Sequence, residues 1–193
     1  MDKRIDWALL SRAQFWFAKD FAPIEVPWLV TEEATKITYP KGAGPFSSYQ
    51  GDLLGSGEQG FLQLILEGQL KGGYYSTITP CFRDDQTDIY HSKHFMKLEL
   101  INIAPINPQE EFNIDLLQKA VLFYRTIINP NDLKMVKKTD SCYDLELNGI
   151  EVGSYGRSRY KDFVWDYGTG LALPRFSQAA SLTPRRRTYT EGY

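Results

Sequence analysis

From Phe95 onward the chain reads FMKLELINI, with Met96, Leu98 and Leu100 at every second position and Phe95, Lys97 and Glu99 between them. Side chains alternate across an extended strand with period two, so this run predicts a strand with one apolar face and one face bearing a ring, a cation and a carboxylate. An ordinary half-solvated antiparallel strand accounts for the alternation as well. Upstream, Ile5, Leu9, Ala13, Trp16 and Phe17 keep the three-to-four spacing of an amphipathic helix over 5–21, ended by Pro23. The segment 24–30, IEVPWLV, predicts a strand interrupted by Pro27. Proline lacks the N–H for a ladder bond, which puts such a strand at an edge or an interface, and helix plus strand would suit a dimer contact.

Residues 39–57, rich in Gly, Ser and Pro, predict a long mobile loop. Phe61, Leu62, Ile65, Leu66 and Leu70 predict a helix over 58–70 ended by Gly72 and Gly73, and the aromatic and β-branched run 74–79 predicts a strand that delivers Arg83. Asn107, Pro108 and Glu110 have the order of N-cap, N1 and N3, and apolar positions from Phe112 to Ile128 hold helical spacing up to Asn129-Pro130. This helix is expected to cover one face of the sheet.

Asn148-Gly149 between alternating runs is a strong hairpin signal. A two-residue turn there pairs Leu147 with Ile150, Glu146 with Glu151, Leu145 with Val152 and Asp144 with Gly153, leaving Asp144, Glu146 and Glu151 on one face. Opposed carboxylates repel and need a cation. Oxygen ligands of this kind suit Mg²⁺ arriving with substrate phosphates, while carboxylates splayed into solvent satisfy the same pattern. Finally, 165–176 predicts a strand, a small-residue turn at Gly168 and Gly170 where backbone can approach a ligand, and a helix start holding Arg175.

Composition narrows the class. A chain of 193 residues is expected to form one domain, 1–193, with a substantial core. The patterns together predict an α/β chain with a mixed, mostly antiparallel sheet flanked by helices. A net charge of −2 provides no global field toward nucleic acid or anionic membrane. Arg185, Arg186 and Arg187 form the one basic cluster, either a solvated end or an RNA-binding tail. Cys81 and Cys142 have neither the number nor the spacing of a disulfide framework or a zinc site, which fits a reducing cytoplasm. No run of about 18 apolar residues and no secretory h-region occurs, so neither membrane spanning nor export is expected.

In order, these motifs resemble the three signatures of the class II aminoacyl-tRNA synthetases, most closely the aspartate, asparagine and lysine subgroup. VPWL, with Pro27, resembles motif 1, whose proline lies at that family's dimer interface. CFRDD, 81–85, resembles the Phe-Arg-x-Glu of motif 2, with Asp85 in place of Glu. His91-Ser92-Lys93-His94-Phe95 resembles the subgroup's His-x-x-Glu-Phe, and Glu99 falls where a further family Glu sits. The segment from Asp144 to Glu151 resembles the hairpin whose acids hold magnesium on ATP. GTGLALPRF, 168–176, resembles the Gly-x-Gly-x-Gly-x-Asp-Arg of motif 3, and GEQGFLQ, 57–63, resembles the Ser-Pro-Gln-x-x-x-Gln stretch that helps bind the amino acid.

The resemblance implies a homodimer that uses ATP and Mg²⁺ to activate an amino acid or similar small carboxylate as its adenylate. It implies Arg83 and Arg175 as catalytic residues, Arg83 on the α-phosphate and Arg175 with His91 on the outer phosphates. Phe95 would stack on adenine, with Asp85 and Glu99 also in the ATP site, and Asp144 and Glu151 would position the metal. Gln59, Gln63, Lys97, Arg157 and Arg159 would serve the amino acid. Departures are Asp85, Ala172 and Pro174 in the motifs, and Ser158 where the subgroup has a substrate-reading arginine. There is no room for the subgroup's anticodon-binding domain, so tRNA is one possible acceptor beside a small molecule or a protein side chain. A non-catalytic paralogue that binds nucleotide or amino acid is the alternative.

Overall fold

The structure is a computed structural model that describes residues 4–39, 44–84, 87–88, 90–104 and 114–182. Its elements run α1 (Trp7–Phe17), β1 (Ala22–Pro23), β2 (Leu29–Val30), α2 (Glu32–Thr38), β3 (Phe46–Ser48), β4 (Gly51–Leu53), α3 (Gly57–Leu66), β5 (Gly73–Phe82), β6 (His94–Ala104), α4 (Asp115–Arg125), β7 (Leu133–Thr139), β8 (Cys142–Leu147), β9 (Ile150–Tyr160), β10 (Phe163–Leu173) and α5 (Arg175–Ala180). A seven-stranded sheet has the order β1-β5-β6-β10-β9-β8-β7, and β2, β4 and β3 form a small second sheet. Among the described residues only the β1–β5 pair is parallel, so the architecture is the expected mixed, mostly antiparallel sheet flanked by helices. No helix among the described residues is long and apolar enough to cross a membrane.

Strand β6 lies inside the sheet, and both its faces are covered. Leu98 and Leu100 join Leu10, Phe17, Leu117 and Phe123 in the core under α1 and α4, while Ile101 and Ile103 pack with Phe61, Leu62 and Trp165 beneath α3. The half-solvated reading therefore fails, since even Glu99 is only 5% exposed. Helix α1 starts where Asp6 accepts from the Leu9 amide at 2.9 Å and ends near Ala18, earlier than its apolar spacing predicts. The rings of Phe17 and Phe123, 5.4 Å apart, fasten it to α4.

Several sequence expectations change. Of the predicted strand 24–30 only Leu29–Val30 forms, as β2, while β1 lies just before that segment at Ala22–Pro23 and Pro27 stands in the irregular stretch between them. Much of the predicted loop 39–57 is the β3–β4 hairpin, which adds to β2. Gly51 makes this pairing possible: its φ is +140°, and a Cβ there would meet the Val30 carbonyl oxygen at 2.7 Å. Helix α3 ends at Leu66 with Gly68 at φ +69°, before the predicted Gly72-Gly73 stop. The helix start read at Asn107, Pro108 and Glu110 lies outside the described residues, as does the 185–187 tail.

The β8–β9 turn has Asn148 at φ 53° and Gly149 at φ 79°, the left-handed pair that an Asn-Gly turn supplies. Its first two pairs are as predicted. A bulge then changes the register, so Leu145 faces Gly153 and Asp144 faces Ser154. The predicted small-residue turn at Gly168 and Gly170 is also absent: β10 runs through it with an irregularity between Thr169 and Leu171. Both glycines make room for the core. A Cβ on Gly168 would meet Tyr155 at 2.6 Å, and one on Gly170 would meet Leu98 at 2.3 Å.

Candidate active site

Register decides which side chains share the face beneath α3. Thr169 pairs with Glu99, Ala172 with Lys97 and Asp144 with Ser154, so residues from β6, β8, β9 and β10 converge there. A cavity of about 160 Å³ opens on this face, lined by Arg83, Phe95, Lys97, Glu151, Thr169 and Arg175 among others. Arg83 follows β5, and its amide bonds the Lys93 carbonyl at 2.9 Å, continuing the β5–β6 ladder to the cavity mouth. Its Nε donates to the Gly55 carbonyl at 2.8 Å, and the guanidinium sits 5.3 Å from the Phe95 ring centroid. A cation over an aromatic face is held by the ring quadrupole.

Across the cavity, Arg175 opens α5 immediately after Pro174. Its Nε donates to the Tyr90 carbonyl at 3.4 Å, tying the loop before β6 to the end of β10, and its Nη1 lies 3.7 Å from Glu151. Tyr90 and Ser92 from that loop also line the wall. His91 is adjacent but outside the lining: its Nδ1 pairs with Asp88 at 2.7 Å in a half-exposed turn. The His91 hydrogen bond, with help from the Tyr90 amide, pulls the Asp88 carboxyl down to about 2. Asp85 lies outside the described residues.

The floor is a charged cluster. Lys97 is ion-paired with Glu99, which also accepts from the Ser56 hydroxyl and, at 2.7 Å, from the Glu58 amide at the start of α3. Burial alone would raise the Glu99 pKa, but Lys97 and these hydrogen bonds outweigh it and hold the carboxyl below its ordinary value. Glu99 thus caps a helix and anchors a cation. Glu58, partly buried beside it, accepts from the Trp165 indole at 2.6 Å. Burial first, then repulsion from Glu99, push its carboxyl up to about 7. The sequence offered no sign of Glu58, because its partners come from β6 and β10.

The residues expected to read the amino acid divide. Gln59 is fully buried; its Oε1 accepts from the Gly55 amide at 2.7 Å, while its Nε2 has no partner among the described residues. Gln63 is engaged structurally, accepting from the Thr31 amide and hydroxyl at 2.8 Å each and donating to Glu67 at 2.7 Å. Arg157 and Arg159 leave the opposite face of β9, because Arg157 pairs in register with Asp166 and Arg159 with Val164. Arg157 there grips the buried Asp166. Ser158, between them, shares the face of its partner Trp165.

The acidic hairpin face forms as the turn predicts, but Asp144 and Glu151 have protein cations beside them. Glu151 is half exposed at the cavity wall beside Arg175, whereas Asp144 is 6% exposed and lies 3.3 Å from the Lys138 ammonium. No group of three or more His, Cys, Asp or Glu among the described residues is arranged to hold a metal.

No family model and no curated protein matches this chain. Among solved structures, it matches the pyrrolysyl tRNA synthetase PylSc of Desulfitobacterium hafniense with a TM-score of 0.61 and 16% sequence identity. The match covers 89% of this chain and 64% of that one, so this chain spans under two thirds of the synthetase's length. The fold is that of a class II aminoacyl-tRNA synthetase catalytic domain. At this identity the likeness reaches the fold and stops short of the aspartate, asparagine and lysine subgroup.

Proposed function

We propose that this chain activates an amino acid or a similar small carboxylate with ATP, forming the acyl-adenylate. The observation that carries the reading is the meeting of Arg83, Phe95 and Arg175, from three separate motifs, around one cavity that Lys97 also lines. In the reaction a carboxylate oxygen attacks the α-phosphorus, a P–O bond to it forms, and the bond to the departing pyrophosphate breaks. Positioning and neutralisation of developing charge are the protein's main contributions to such a step. Arg83, held by Gly55 and Phe95, faces the α-phosphate; Arg175 serves the outer phosphates; Phe95 offers its ring to adenine. Lys97 is the cation on the cavity wall available to the carboxylate substrate.

For magnesium, the half-exposed Glu151 fits as one carboxylate completed by phosphate oxygens, the usual way this ion is held. Asp144, buried and ion-paired, does not fit as an open ligand. Bound magnesium would supply further neutralisation of the outer phosphates. A homodimer belongs to the same reading, supported by the exposure of Trp28 (52%) and Leu29 (39%) next to Pro27. A cytoplasmic location is in keeping with two free thiols.

The test is amino-acid-dependent pyrophosphate exchange with the full chain. Exchange with at least one standard amino acid is expected. ATP binding with no exchange for any of them would make the chain a binding paralogue and end the catalytic reading.

A further inference from the structure

We propose that Lys138 is a tethered cation that holds the Asp144 carboxylate in place of a divalent ion. The inference deepens the adenylate reading, since it concerns how the charge of that same site is balanced. Three observations carry it. Asp144 lies on the cavity's face of the sheet, opposite Ser154, and is almost entirely buried. The Lys138 ammonium, on the neighbouring edge strand, reaches its Oδ2 at 3.3 Å. The β7–β8 register shifts between Lys137 and Thr139, so Lys138 stands outside the ladder at a bulge, a device that re-aims a side chain.

The charge logic runs in the same direction. Glu146 and Glu151 share Asp144's face, opposite each other, so three carboxylates lie on the face that the Lys138 ammonium reaches. A buried carboxylate beside others is costly unless a cation accompanies it. A divalent ion would supply that charge only when bound; Lys138 supplies it permanently, on a stem whose head is still about half exposed. The site would then need metal only where Glu151 meets phosphate, and its Asp144 end would be neutral in metal-free solution. A merely superficial lysine pair would be worth little and would leave metal binding unchanged when removed.

Mn²⁺ is the probe, counted by electron paramagnetic resonance on the folded full chain without nucleotide. Lys138→Gln should gain a Mn²⁺ site about tenfold or more tighter than anything in the wild type, the scale of removing one nearby charge. Lys138→Arg should not gain it, and Asp144→Asn added to Lys138→Gln should abolish it. If Lys138→Gln binds Mn²⁺ no better than the wild type, the proposal is overturned. A second variant guards against misfolding of the first. Asp144→Asn alone should leave wild-type Mn²⁺ affinity unchanged, and a loss would show that Asp144 already serves metal and overturn the proposal. Wild-type ATP binding in Mg²⁺ is measured alongside. Its absence would sink the adenylate reading, while the Mn²⁺ contrast would still decide the role of Lys138.

Discussion

Two ion pairs sit on opposite faces of the same sheet, and they have opposite uses. On the core face, Arg157 binds Asp166 through Nε at 2.7 Å and Nη2 at 3.0 Å, and Asn102 donates to the same carboxylate at 3.2 Å. Fork and carboxylate are matched, Asp166 is fully buried, and the arrangement serves the protein alone. On the cavity face, Lys97 meets Glu99 with a single-point ammonium and lines the open space, while Glu99 spends its remaining capacity on the start of α3. An ion pair inside a sheet marks a site only when one partner keeps donors turned toward a cavity.

The comparison can be broken most forcefully at Asp166. Asp166→Ala removes the buried carboxylate that Arg157 grips through two nitrogens and should cost about 3 to 5 kcal/mol of stability in urea unfolding, with ATP affinity unchanged in the folded protein. Lost affinity at unchanged stability would mean the two faces are not separate. Arg83→Ala should do the reverse: pyrophosphate exchange falls about 100- to 1,000-fold while circular dichroism and the melting temperature stay near wild type. Persistent exchange would remove Arg83 from the α-phosphate.

Smaller effects sharpen the cavity face. Phe95→Leu should weaken ATP binding in calorimetry by about 1 to 3 kcal/mol, the usual worth of a ring stacked on a base. An unchanged affinity would place the base elsewhere. Glu58 predicts a pH dependence. Its folded carboxyl, pushed up by burial and by Glu99 to about 7 from 4.5, binds its proton more tightly than the unfolded chain does. Stability should therefore be greatest below about pH 4.5 on this group's account and decline as pH rises through about 7. Glu58→Gln, which keeps an acceptor for Trp165, should flatten that slope and be more stable at pH 8 by about 1 kcal/mol, a value discounted for partial exposure. An identical pH profile in the variant would count against a raised Glu58.

What the sequence made legible was local. The alternation of β6, the Asn148-Gly149 turn and the apolar spacing of α1 and α4 are each set within a few residues, and each formed. So did the meeting of Arg83, Phe95 and Arg175 at one cavity, which ordered motifs anticipated. The misses are matters of register. One residue's displacement turns a strand side chain to the other face, so Arg157 and Arg159 point to the core side while Ser158 faces Trp165's side. The bulges in β8–β9 and β7–β8 belong to pairings between strands and leave little mark in either strand alone. Strand β7 itself, LKMVKKT, lacks a clean alternation, which hid Lys138. Glycines 168 and 170 looked like an approach to ligand because glycine says only that a Cβ would collide, and the collisions are with Tyr155 and Leu98.

Strand β7 has one more bearing, on the behaviour of the protein in concentrated solution. It is an edge strand of the large sheet, with no strand paired to its outer side among the described residues, an edge that another chain could extend. Lys134, Lys137 and Lys138 place three ammonium groups along seven residues, and the bulge interrupts the straight edge that such an extension requires. Two copies meeting there would bring like charges together. The strand that balances the acids of the hairpin thus also keeps the sheet from growing sideways into aggregates, and charge-removing changes along it should raise turbidity before they lower the melting temperature.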